Sequence, residues 1–189
     1  HDIHYWPGIK GRGSTSGFQE TMSFQYEHFF KENRDHFQMS VLIGNRLCTH
    51  AGVGNDFLKS VGFWKMDSAD ESIISDYLNE LFHYKPNEFT FDGSYDRNMN
   101  GVIPSYYGDD DWQSPVWIRP KSLQRVNKKT DLKKNYIQIV GHTQQDHIDI
   151  KGKTTGGKYY YIDTLPSGEY LIDVDGEFEI GYAAIVKYT

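Results

Sequence analysis

Cysteine is almost missing from this sequence: one thiol, Cys48, in 189 residues. That excludes an internal disulfide framework and any zinc site built from several cysteines. Cys48 lies inside an apolar run and reads as a buried, inert thiol rather than a nucleophile. Long hydrophobic runs are lacking as well. No stretch approaches a membrane span and no signal-peptide pattern is visible, so no membrane partner is expected. A reducing, cytoplasmic setting fits both absences, although the first residue is His rather than Met and a targeting segment could lie upstream. An excess of positive charge is also absent. Lys and Arg number 20 against 26 Asp and Glu, for a net charge of −6 and a pI near 5.7. No extended basic face of the kind that coats nucleic acid is expected.

What is present is aromatic. Only 38 % of residues are hydrophobic, but 14 Tyr and 11 Phe compensate, since each aromatic ring buries a large area. The length suits one domain spanning 1–189 with a single sizeable core. No internal repeat and no linker interrupts it.

Along the chain, Gly11-Arg12-Gly13-Ser14 lacks the preceding strand and the spacing of a phosphate-binding loop and reads as a plain loop. Met22, Tyr26, Phe29 and Phe30 recur at helical spacing and predict a helix over about 18–33. A β-hairpin follows, 38–43 and 46–50, joined by Gly44-Asn45. A short helix is expected over 55–60. Ser68 and Glu71 suggest a capping box that opens a helix with an apolar face of Ile73, Ile74, Tyr77, Leu78, Leu81 and Phe82, ended by Pro86. Regularity is lost over 87–114, where Asp109-Asp110-Asp111 reads as a solvated loop rather than a calcium site. The basic segment 121–134 reads as a solvated face leading to a strand at 136–140. Strands at 159–163, 170–174 and 178–187 predict a terminal β-meander.

Two histidines stand out. His50 ends the second hairpin strand and precedes Ala51-Gly52, and His142 follows Ile139-Val140-Gly141 and precedes Thr143. A strand fixes an imidazole, and small residues after it leave room for an ion and a substrate. A lone strand-end histidine is more often structural than ligating, but two in the same context strengthen the ligand reading. His1-Asp2 adds a third feature, resembling the inside of a motif. By contrast His4, His28, His36, His83 and His147 sit in contexts that suggest structural or solvent roles.

Taken in order, Thr49-His50-Ala51-Gly52, Ser114-Pro115-Val116-Trp117-Ile118-Arg119-Pro120 and Gly141-His142-Thr143, with His1-Asp2 before them, resemble blocks of the calcineurin-like metallophosphatases. The closest likeness is to the branch shared by phosphoprotein phosphatases and diadenosine tetraphosphatases. The resemblance spans nearly the whole chain. It departs from the family pattern at the start, because the Asp-x-His block, the Gly-Asp-x-x-Asp block and the Asn of Gly-Asn-His-Asp are not in this sequence. What it implies is an α/β sandwich of mixed sheets flanked by helices, of which 1–189 would be the C-terminal portion, closed by the strands after Tyr159. It further implies hydrolysis of a phosphate ester by a metal-bound hydroxide at two divalent ions, Mn, Fe or Zn. His50 and His142 would ligate one metal, His1 would act as general acid oriented by Asp2, and Arg119 would hold the substrate phosphate. Asp163 would be a structural turn residue. The substrate would be a phosphorylated protein or a nucleotide such as a dinucleoside polyphosphate. A non-catalytic fragment acting as a binding module is the alternative, and the oligomeric state is left open.

Overall fold

The computed structural model describes residues 2–9, 17–63, 70–91, 110–129, 137–148 and 159–183. His1, the 11–14 loop, Ser68, Asp109 and most of the irregular 87–114 stretch lie outside the described residues, as do Lys133, Lys134 and the end of the last expected strand.

The chain is mixed α/β, organised on a four-stranded sheet in the order β1-β2-β3-β4. Strands β1 (Ser40–Ile43) and β2 (Arg46–Thr49) form the expected hairpin, with Ser40 opposite Thr49 and Ile43 opposite Arg46. Gly44 has φ 61°, a value that the first position of a tight hairpin turn needs and glycine supplies without strain. β2 then pairs in parallel with β3 (Ile137–Val140), and β3 in parallel with β4 (Tyr159–Tyr161). The ladders end at Thr49↔Val140 and Val140↔Tyr161, so three parallel strands present their C-terminal ends along one edge. In open α/β sheets that edge is where ligands bind.

The terminal meander is smaller than the sequence predicts. β4 does not join it but extends the parallel ladder, because Tyr159 is drawn into an apolar cluster with Leu123 and Val126 and the Ile162 amide donates to the Val140 carbonyl. Only β5 (Glu169–Val174) and β6 (Glu177–Tyr182) remain as a separate antiparallel pair. Their turn, Asp175-Gly176, has φ 51° and 94°, the double-positive geometry of a type I′ hairpin. Arg46 pins this hairpin to the sheet. Its Nη1 lies 2.8 Å from Asp173 Oδ2, its Nη2 donates to the Gly176 carbonyl, and its guanidinium sits 4.2 Å from the Phe178 ring centroid.

Among the described residues four α-helices accompany the sheet, and the third packs on β1 and β2. α1 (Ser23–Glu32) is shorter than predicted and is preceded by a 3-10 turn at Glu20–Met22. Its aromatic face is only partly covered, leaving Phe29 52 % exposed. α2 (Asn55–Ser60) buries Phe57 and Leu58. α3 (Glu71–Tyr84) buries Ile74, Leu78, Leu81 and Phe82 on one face, while Ile73 turns outward. Its cap is Asp70, not Ser68. The Asp70 carboxylate accepts the Ile73 amide at 3.0 Å, three residues on, which is where an N-cap side chain reaches. α4 (Pro120–Lys129) replaces part of the expected solvated basic segment. Pro120 suits a first helical position, and Leu123 and Val126 are fully buried against Ala51, Ile118 and Tyr159. Two apolar residues three apart are too few for a sequence pattern, but they suffice once the sheet supplies the opposite surface. The larger core cluster joins Leu47 of β2 to Phe57, Leu58, Ile74, Leu78, Phe89, Trp6 and Trp117.

Candidate metal centre

The hairpin brings His50 to the end of β2, one residue beyond the last ladder pair. Its carbonyl accepts the Gly141 amide at 2.9 Å, and the next amide, Ala51, donates to the Pro115 carbonyl. The backbone on both sides of the imidazole is thereby fixed. Gly141 continues the parallel ladder and His142 follows it with φ 66°. Positive φ is uncommon outside glycine, although histidine is among the residues enriched there. The turn aims the two rings at each other. His50 Nε2 lies 3.1 Å from His142 Nδ1, with centroids 4.9 Å apart at 61°.

Room for this arrangement depends on Gly52, whose φ is 105° and whose absent Cβ would come within 2.3 Å of Leu123 Cδ2. The small residue after the histidine therefore admits α4, and α4 in turn follows directly on Arg119. The Arg119 carbonyl accepts the Leu123 amide at 2.9 Å. Its Nη1 donates to Thr143 Oγ1 at 3.2 Å, beside His142. His50, His142 and Arg119, separated widely in sequence, thus meet at one end of the sheet. Asp2 shares a cavity lining with His50, while His1 is not among the described residues.

Burial disfavours the charged form of both imidazoles. Burial lowers the His142 pKa to about 4, helped by the neighbouring His50 ring and the Arg119 guanidinium. The Trp117 carbonyl pulls weakly the other way, but without hydrogen-bond geometry: His142 Nε2 is buried and has no hydrogen-bond partner. His50 is exposed on one side, yet hemmed in enough that desolvation lowers its pKa, against the opposing carboxylates of Asp2 and Asp163. Neutral imidazole is the form that ligates metal. Two nitrogens each about 2.0–2.1 Å from one ion stand roughly 3 Å apart, so the separation in this pair fits a shared ion. The fit is partial. Among the described residues no three His, Cys, Asp or Glu side chains converge to hold a metal ion.

Asp163 is the residue that the sequence underrated. Its carbonyl accepts the Gln145 amide at 2.8 Å, as a turn residue's would, but its carboxylate is also within electrostatic reach of His50. The parallel pairing of β3 and β4 puts it there, and nothing in its local sequence signals that pairing. The other described histidines lie apart from the pair. His147 is exposed and bonds Glu169 at 2.8 Å, and His4 is buried against Trp117 and Phe18. Cys48 is half-buried, with burial pushing its thiol pKa up, which suits an unreactive thiol. No helix among the described residues is long and apolar enough to cross a membrane. Compared with protein-family models, curated proteins and solved structures, the chain matches none.

Proposed function

We propose that this chain carries part of the metal centre of a metal-dependent phosphoesterase, of the metallophosphatase type that its sequence blocks resemble. The observation that carries this reading is the His50–His142 pair, 3.1 Å apart, with Arg119 held beside it through Thr143. The two imidazoles would hold a divalent ion, and nitrogen ligands favour Mn, Fe or Zn over Ca. Further ligands are needed to complete its coordination shell. Divalent ions bound there would supply Lewis-acid polarisation of a phosphate ester and activation of water.

The chain's own residues then have distinct tasks. The strand ends hold the imidazoles in place, and the packed surroundings disfavour their protonation. Arg119 presents a planar fork to two phosphate oxygens, which a lysine cannot do. Asp2, beside His50, would orient a proton donor toward the leaving oxygen if His1 occupies the position that the resemblance implies. A phosphorylated protein or a nucleotide is the substrate class on this reading.

The test is metal binding together with p-nitrophenyl phosphate hydrolysis in added Mn²⁺. His50→Ala and His142→Ala should each weaken Mn²⁺ or Zn²⁺ binding by about a hundredfold or more. Arg119→Ala should raise KM about tenfold, with Arg119→Lys recovering only part of the loss. Unchanged metal affinity in both histidine variants would sink the reading. A second reading is a binding module without turnover, which the same two imidazoles would serve. Metal binding through both histidines with no hydrolysis would select it.

A further inference from the structure

We propose that the cavity beside His50 is a subsite for the flat aromatic group of a phosphate-bearing ligand. The position of the phosphate rests on the reading above, while the aromatic subsite stands on the cavity's own walls. The cavity is about 610 Å³, within the range of small-molecule sites. Its walls are mainly rings, Trp6, Phe29, Phe30, Phe37 and Phe82, with Met39 among them. Trp6 meets Phe37 edge-on at 5.8 Å and leans on Phe82 at 4.4 Å, and Phe30 meets Phe37 at 5.0 Å. A closed aromatic core would bury all of them, yet Phe29 and Phe37 remain 52 % and 38 % exposed. An aromatic pile left open at one side is suited to accept another ring by stacking or edge contact.

Polar residues at the lining orient the ligand. Gln38 adds an exposed amide that can meet a polar edge of the incoming ring. Among the described residues no Lys or Arg lines the cavity, and Asp2 does. The Asp2 carboxylate repels a phosphate inside, and on the reading above the phosphate belongs with Arg119, so the ligand enters ring first with its phosphate toward the histidine pair.

Calorimetric titration of the protein with Mn²⁺ tests this, using phenyl phosphate, adenosine monophosphate and glycerol 2-phosphate. The two aromatic probes should bind at least tenfold tighter than glycerol 2-phosphate. Whichever of the two is tighter tells whether the ring sits directly on the phosphate or is carried through a sugar. Phe29→Ala, at a half-exposed position that tolerates truncation, should shrink that preference about fivefold, and Gln38→Ala should shrink it less. Equal affinity for all three phosphates, or an undiminished preference in both variants, would overturn the proposal. Adenosine alone separates the two readings. Adenosine binding that Phe29→Ala weakens, with no gain from the phosphate or from Mn²⁺, would support the subsite and count against the phosphoesterase reading. No binding of any aromatic probe would overturn the subsite itself.

Discussion

His50 Nε2 and His142 Nδ1 face each other at 3.1 Å because β2 and β3 run parallel in a register that ends at Thr49↔Val140. One residue further along each strand the ladder continues through the Gly141 amide and the His50 carbonyl. His142 then departs into positive φ and swings its ring back toward His50. A shift of one residue in this register would send one imidazole to the other face of the sheet. The pairing of β2 with β3, rather than any local motif, brings the two rings together.

Burial and the neighbouring cationic groups predict an unusual titration. In chelator-treated protein the His142 imidazole should titrate near 4, well below the ordinary 6.5. The unfolded chain then binds a proton through this range while the folded chain does not. Stability from this group is complete above about 6.5 and is lost as pH falls toward about 4. His50, lowered in the same direction, adds to the loss. Imidazole chemical shifts followed by NMR give the pKa, and urea midpoints between pH 7 and 4 give the stability. A His142 titration at 6.5 would show that the packed pair does not exist in solution.

Gly52→Ala should be disruptive out of proportion to one methyl group. The new Cβ would meet Leu123 Cδ2 at 2.3 Å and Val140 Cγ1 at 3.3 Å, at a φ of 105° that alanine resists. Strain and overpacking together should remove about 2–4 kcal/mol. For a domain of this size that lowers Tm by roughly 5–15 °C. Thermal unfolding followed by circular dichroism reads the shift. An unchanged Tm would mean that α4 does not pack on this loop.

Much of this architecture can be read from sequence where a pattern is local. The β1–β2 hairpin, its Gly44 turn, α2 and the buried stripe of α3 all follow from periodicity and turn chemistry. The strand-end contexts of His50 and His142 likewise single them out before any pairing is known. Non-local choices are not legible in this way. Tyr159–Tyr161 carries the same β-rich signal whether it joins a meander or a parallel ladder, and Val140 and Leu123 decide between them through contacts distant in sequence. Helix α4 hides for a related reason, because its basic residues mask the two apolar ones that dock it. The cap of α3 falls on Asp70 rather than Ser68 because two good capping residues stand close together, and the packing of Ile74 and Leu78 selects the helix phase.

Arg46→Ala should loosen the β5–β6 hairpin while leaving β2 and β3 paired. The substitution removes the Asp173 ion pair, the bond to the Gly176 carbonyl and the stacking on Phe178 at once. Because this guanidinium is largely buried, about 2–4 kcal/mol should be lost. Hydrogen exchange distinguishes local from global effects: amides of 169–182 should exchange much faster, those of 137–140 nearly as before. Arg46→Lys should rescue little, since an ammonium cannot reach both acceptors and cover the ring. Uniform acceleration across both sheets would instead make Arg46 a general core residue.

His142→Asn separates what the fold needs from what the site needs. At φ 66° asparagine is at least as comfortable as histidine, and the change removes a buried Nε2 that has no hydrogen-bond partner. A histidine present for folding alone would lose packing against Trp117, whose ring lies 6.2 Å away, and the variant would be less stable. A histidine kept for ligation at the expense of backbone comfort gives the opposite outcome. The variant should unfold at the same urea midpoint or higher, by up to about 1 kcal/mol, while its Zn²⁺ or Mn²⁺ affinity collapses. Loss of stability with metal affinity intact would reassign His142 to the core. Gain of stability with loss of metal would mark the left-handed turn after Gly141 as a feature maintained for binding.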